Sequence, residues 1–168
     1  MNNGEKRRTE DYEMTIIVPV YNEVDNMERV EGKMSDYLLK ASIKSCVLFV
    51  NDGSTDGSLD RIKEICHRNH DMLYISLKKN SGLSTAMKAG IDSTASRLVG
   101  YIDADLQTDP EDFNKLLEYA SEYQLVSGIR ANRKDSAFKR LQSKIANNFR
   151  RSMTGDTATD TGCPLKVM

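Results

Sequence analysis

The sequence predicts a mainly parallel, doubly wound α/β sheet flanked by helices on both faces. Three observations predict it. Short β-branched runs alternate with longer stretches whose apolar residues recur at helical spacing, the pattern of strand–helix–strand units. The polar clusters follow the strands, at the carboxyl ends where open α/β sheets bind ligands. The 168 residues, 39% hydrophobic and 29% charged, suffice for one domain with its own core.

Taken in order, Met14–Val20 reads as a buried strand, and Val24, Met27, Val30, Met34 and Leu38 space a helix over 24–39. Cys46–Val50 is the second strand, followed by a helix with Leu59, Ile62, Ile65 and Cys66 on one face. Met72–Leu77 is the third strand, and Leu83, Met87 and Ile91 form the stripe of the next helix. Arg97–Ile102 is the fourth strand. Asp109-Pro110 then opens a helix, with Asp as N-cap and Pro at the first helical position. Gln124–Gly128 is a fifth strand, and Phe138, Leu141, Ile145 and Phe149 space a further helix. Residues 1–13 are polar, lack the apolar core of a signal peptide and read as a flexible leader. The folded domain is therefore placed at 14–168. Its last stretch, Cys163–Met168, is apolar and stops without a polar tail, which suggests truncation at the C-terminus.

Composition excludes several classes. A net charge of -1 gives no global field for nucleic acid. Three cysteines, Cys46, Cys66 and Cys163, cannot complete a disulfide framework and form no CxxC pair, so buried thiols in a reducing compartment are expected. The longest apolar run, near Met14–Val20, is too short to span a membrane. No GxGxxG follows the first strand, and neither GxxxxGK[ST] nor GxSxG occurs.

Four polar clusters remain. In Asp103-Ala-Asp105 the two carboxylates point to one side of an extended segment. Two such charges are costly together unless a cation joins them, and a hard divalent ion with oxygen ligands would do so. Gln107 could add a carbonyl oxygen; a solvated acidic turn fits the same residues. In Asn51-Asp-Gly-Ser-Thr-Asp56, Gly53 permits a tight turn and Ser54 or Asp56 can cap the next helix, while Asp52 could accept hydrogen bonds from a base or ribose. Pro19-Val-Tyr-Asn-Glu23 ends the first strand, where Tyr21 could pack on a base and Glu23 hydrogen-bond it, or simply cap a helix. In Lys79-Asn-Ser-Gly-Leu-Ser84, Gly82 lets backbone N–H groups approach an anion, or marks a plain helix entry. Beyond these, the segment from Arg130 to Arg151 is rich in Lys and Arg, suited to a solvated face or to phosphate and lipid headgroups; its sparse aromatics argue against nucleic acid.

Together these clusters resemble the nucleotide-sugar domain of glycosyltransferase family 2. The order carries the resemblance: Ile17-Val-Pro-Val-Tyr-Asn-Glu23, Val50-Asn-Asp-Gly-Ser-Thr-Asp56, Asn80-Ser-Gly82, then Asp103-Ala-Asp-Leu-Gln107. Asp103-Ala-Asp-Leu-Gln-Thr-Asp-Pro110, Val126-Ser-Gly-Ile-Arg130 with Arg133, and Asp160-Thr-Gly-Cys163 make it similar to the polyprenyl-phosphate sugar transferases, of the dolichyl- and undecaprenyl-phosphate kind. The similarity runs from about Thr15 to the end.

The resemblance implies a GT-A, Rossmann-like fold and an inverting transfer from a UDP- or GDP-sugar to a polyprenyl phosphate, by single in-line displacement. It implies that Pro19, Tyr21, Glu23 and Asp52 hold the nucleoside, with Asn80 and Gly82 also on the donor. It assigns Asp103, Asp105 and Gln107 to Mg²⁺ or Mn²⁺ and the diphosphate, and Arg130 and Arg133 to phosphate of donor or acceptor. Asn51 departs from the Asp common in the family, with little effect expected. The implied partners of the full-length protein are donor, acceptor and the cytoplasmic face of a membrane, with no nucleic acid. Two alternatives stay open: a hydroxyl acceptor in cell-surface polysaccharide synthesis, which would need a general base, and a nucleotide-binding module without turnover.

Overall fold

The computed structural model describes residues 9–129 and 163–168. Four parallel strands form its centre: β1 (Met14–Val20), β2 (Ser45–Asn51), β3 (Met72–Ser76) and β4 (Leu98–Tyr101). Two short strands, β5 (Val126–Ser127) and β6 (Lys166–Val167), extend the sheet, and β6 lies antiparallel to both β4 and β5. The strand order is β3-β2-β1-β4-β6-β5. The chain order therefore reverses between β1 and β4, the place where a doubly wound sheet opens a crevice.

Helices α1 (Met27–Lys40), α2 (Ser58–Arg68), α3 (Leu83–Ser93) and α4 (Phe113–Leu117) connect the strands. β1 alternates its side chains between two cores. Ile16, Val18 and Val20 meet Val30 and Met34 of α1, Ile62 and Ile65 of α2, and Phe113 of α4. Ile17 faces the other way, into a smaller core with Leu48, Val50 and Ala86 of α3. Both faces of β1 and β2 are covered, which is why these strands read as near-continuous apolar runs. Each fully buried Ile, Leu or Met stabilises this arrangement by roughly 1.5–3 kcal/mol.

Among the described residues the expected strands and helices are present, with informative differences, and the helix expected around Phe138, Leu141, Ile145 and Phe149 lies outside them. The helix expected from Val24 begins as a 3-10 turn at Val24–Asn26 and becomes α-helical only at Met27. Asp109 accepts a hydrogen bond from the Glu111 N–H ahead of Pro110, as the capping pattern predicts, but the first turn is 3-10 and α4 is short. On α3 the expected stripe is wrong. Leu83 and Ile91 are exposed, and Ala86 and Gly90 make the buried face. The reason is close approach: a Cβ on Gly90 would stand 2.9 Å from Ile17 Cγ2 and 3.1 Å from Val50 Cγ2. Gly90→Ala is therefore expected to force α3 off the sheet at a cost of roughly 1–3 kcal/mol, read as a lower urea midpoint at unchanged slope. An unchanged midpoint would mean that α3 can shift freely.

The fifth strand is shorter than expected, and β6 has no sequence signal, since two paired residues leave no periodicity. The leader expected over 1–13 is held at its far end. Thr9 is buried, its Oγ1 accepts from Ala95 N at 2.8 Å, and its carbonyl accepts from Ser96 Oγ at 2.8 Å. Cys46 and Cys163 are buried and Cys66 is half-buried, with no disulfide among the described residues. Burial pushes the Cys46 thiol up to about 11, against a smaller opposite effect of the Thr15 hydroxyl. Among the described residues no helix is long and apolar enough to cross a membrane. The basic segment 130–151, with Arg130 and Arg133, and Asp160 lie outside the described residues.

Candidate functional site

A cavity of about 330 Å³ opens at the carboxyl ends of the parallel strands. Pro19 reaches it from β1, Tyr21 and Glu23 from the segment after β1, Asp52 from the residue after β2, Asn80 and Gly82 from the segment after β3, and Asp103 and Asp105 from the segment after β4. Residues up to 86 positions apart in sequence thus line one crevice. β4 pairs with β1 only as far as Ile17 opposite Tyr101, so Pro19 stands where the two strands part and needs no N–H toward β4. Leu83, first residue of α3, also lines the cavity and is 53% exposed. Helical spacing hides this role, because it places Leu83 with the core residues.

Asp52 is 4% exposed and grips the segment after β3. Its Oδ1 accepts from Ser81 N and its Oδ2 from Gly82 N, each at 2.8 Å. Next to it, Gly53 adopts φ +67°, and a Cβ there would lie 2.4 Å from the Lys79 carbonyl carbon. Asn51, where the resemblance implies Asp, is 1% exposed and uses both ends of its amide. Nδ2 donates to Ser76 Oγ at 2.8 Å, and Oδ1 accepts from Ser54 N at 3.2 Å. A carboxylate could accept the second bond but could not donate the first.

The loops after β1 and β2 are sewn together by short side chains. Asn22, at φ +54°, donates its N–H to Ser54 Oγ and accepts from Thr55 N through Oδ1. Glu23 N donates to Ser58 Oγ and Val24 N to Asp56 Oδ2, while Asp56 Oδ1 accepts from Ser58 N. Burial works to raise the Asp56 carboxyl, and its hydrogen bonds from Ser58 and Val24 together outweigh this and hold it below the usual value. Ser54, Thr55 and Asp56 are thus structural, and Asp52 is the member of that cluster facing the cavity.

The acidic turn is braced from three sides. Tyr101 Oη donates a hydrogen bond to Asp103 Oδ1. Burial first, then Asp103 itself, pushes the Tyr101 phenol well above its ordinary pKa, so it stays a donor. Leu106 takes φ +46°, and Arg29 Nη2 of α1 binds its carbonyl at 2.9 Å. That reversal brings Gln107 back over Asp105: Gln107 N donates to Oδ1 at 3.2 Å and Nε2 to Oδ2 at 2.9 Å. Gln107 was expected to offer a carbonyl oxygen to a cation. It lies outside the cavity lining and clasps Asp105 with its amide nitrogen. Among the described residues no three His, Cys, Asp or Glu side chains converge. Asp103 and Asp105 suit a hard divalent ion by their oxygen donors, and would need further oxygens, such as those of a diphosphate, to complete its shell.

The Glycosyl transferase family 2 profile matches residues 15–166. The chain belongs to this family. It is 32% identical over 164 residues to the undecaprenyl-phosphate 4-deoxy-4-formamido-L-arabinose transferase of Pectobacterium atrosepticum, covering 92% of the chain and 48% of that protein. The corresponding transferase of Edwardsiella ictaluri is 33% identical over the same shares. The family 2 chain thus spans about half the length of the curated relatives it matches. Among solved structures, glucosyl-3-phosphoglycerate synthase from Mycobacterium tuberculosis, in complex with Mn²⁺, UDP-glucose and phosphoglyceric acid, superposes with TM-score 0.69 at 15% identity, over 97% of this chain and 58% of that one. A mannosyltransferase from Pyrobaculum calidifontis, with GDP-Man and Mn²⁺, gives TM-score 0.61 at 21% identity, over 71% and 36%. These similarities show the fold, GT-A.

Proposed function

We propose that the chain is the donor-binding part of a metal-dependent, inverting glycosyltransferase that moves a sugar from UDP- or GDP-sugar to a polyprenyl phosphate at the cytoplasmic face of a membrane. The observation that carries this reading is the convergence of Asp52, Asp103 and Asp105 on one cavity at the β1–β4 crevice. The lipid acceptor is supported by the undecaprenyl-phosphate transferases it resembles.

Each residue then has a task. Tyr21 and Leu83 offer exposed apolar surface to a base. Asp52 fixes the Ser81 and Gly82 N–H groups and keeps second lone pairs for the base or ribose. Asp103 and Asp105 would hold the cation, Mg²⁺ or Mn²⁺, with Gln107 steadying Asp105 from behind. When bound, the cation supplies positive charge against the charge that grows on the leaving diphosphate. Arg130 and Arg133 are assigned to phosphate. An acceptor phosphate monoester has its second pKa near ~6 and is already an anion at neutral pH, so no side chain need remove a proton from it.

Asp105→Ala is expected to abolish the cation's effect on nucleoside diphosphate affinity. Calorimetry with UDP and GDP, in Mn²⁺ or in EDTA, reads it. A variant that still binds about tenfold tighter with Mn²⁺ would remove Asp105 from the metal site.

A further inference from the structure

Tyr101 belongs to β4, two residues before Asp103, and none of the sequence motifs includes it. It is 4% exposed, and its ring is held in place by its cross-strand neighbour: Lys166 of β6 stands opposite it in register, with Nζ 5.8 Å from the ring centroid. The hydroxyl therefore has little freedom, and it is spent on Asp103 Oδ1. Asp103 lines the cavity, so the oxygen left for the cavity is Oδ2. Building on the donor-site reading above, we infer that Tyr101 is a positioning residue that restricts Asp103 to one cation-facing oxygen and so favours a small octahedral ion over a larger one.

The preference follows from how the two kinds of ion coordinate carboxylates. Ca²⁺ takes six to eight oxygens and readily accepts a carboxylate through both, whereas Mg²⁺ and ions of similar octahedral habit use one oxygen per carboxylate. A carboxylate oxygen that accepts a phenol's hydrogen bond keeps one lone pair, but the bond turns that oxygen toward Tyr101 and weakens it as a second donor, so chelation through both oxygens is disfavoured. Asp105 is constrained alike, since Gln107 donates to both of its oxygens. Tyr101 matters more, because its donor is buried and fixed while Gln107 is exposed. Outer partners of this kind commonly change metal affinity by roughly 10- to 100-fold.

The test compares UDP and GDP affinity by calorimetry in Mn²⁺, in Ca²⁺ and in EDTA. The wild type is expected to bind more tightly in Mn²⁺ than in Ca²⁺. Tyr101→Phe keeps the ring and is expected to shrink that ratio by roughly tenfold, with affinity in EDTA unchanged. A merely structural role for the hydroxyl would leave the ratio alone. A second variant guards against misfolding of the first. In Asp103→Asn the phenol still needs an acceptor, so the introduced amide must turn its oxygen to Tyr101 and its nitrogen to the cavity. The Mn²⁺ effect should then vanish as completely as in Asp103→Ala. A wild type that discriminates, with Tyr101→Phe discriminating equally or Asp103→Asn keeping part of the Mn²⁺ effect, overturns the inference alone. A wild type that binds the nucleotides with no response to either cation overturns the donor-site reading, and the inference with it.

Discussion

Asp52→Ala is expected to weaken nucleoside diphosphate binding by at least about tenfold, equivalent to 1.4 kcal/mol, and to lower stability as well. Both oxygens of Asp52 receive backbone N–H groups of the segment that carries Asn80, Gly82 and Leu83 into the cavity. Hydrogen bonds to a charged acceptor contribute roughly 1.5–3 kcal/mol each. Ser81 and Gly82 are exposed, so water takes over part of that role once the carboxylate is gone. A net loss of about 2 kcal/mol, or roughly 4–8 °C in Tm for a domain of this size, is the expected balance. Asp52→Asn should be nearly as harmful, because its amide nitrogen would face one of the two N–H groups. Calorimetry and a thermal melt on both variants check this. Retained affinity in either would mean that the segment after β3 is held by something else.

Gly53→Ala should be the most damaging single methyl in the chain's described part. The residue sits at φ +67°, which alone costs an L-residue roughly 1–2 kcal/mol. Its Cβ would also lie 2.4 Å from Lys79 C and 2.6 Å from Asn80 N, both backbone atoms that no rotamer change can move away. A total above about 3 kcal/mol is expected, together with loss of nucleotide binding, since the segment that must yield is the one Asp52 holds. Gly57→Ala is the control. Gly57 has φ +97°, but the nearest atom to its Cβ would be Val24 Cγ2 at 3.9 Å, so it pays for strain without collision. Urea denaturation of the two variants separates these contributions. Equal midpoints would show that contact with Lys79 carries no weight.

Much of the fold is legible in the sequence because parallel strands covered on both faces leave continuous apolar runs, as in Met14–Val20 and Ser45–Asn51. The site is legible for a related reason: each polar cluster directly follows such a run, and the sheet carries all of them to one end. What stayed hidden depends on partners distant in sequence. Leu83 and Ile91 yield the buried face of α3 to Ala86 and Gly90 because the closeness of α3 to Ile17 and Val50 has no local signature. Gln107 looks like a ligand until the left-handed turn at Leu106, held by Arg29, folds it over Asp105. Tyr101 looks like any β-strand aromatic until its hydroxyl meets Asp103. β6 consists of two paired residues, too few to show a period.

In the proposed function, Asp103 and Asp105 join a nucleoside diphosphate to the protein through a divalent cation. Calorimetric titration of the 168-residue chain with UDP and with GDP, each in Mn²⁺ and in EDTA, is the measurement that decides it. The expected result is binding of one nucleotide at least about tenfold tighter in Mn²⁺, with the gain lost in Asp105→Ala. Equal affinity in Mn²⁺ and EDTA for both nucleotides would contradict it.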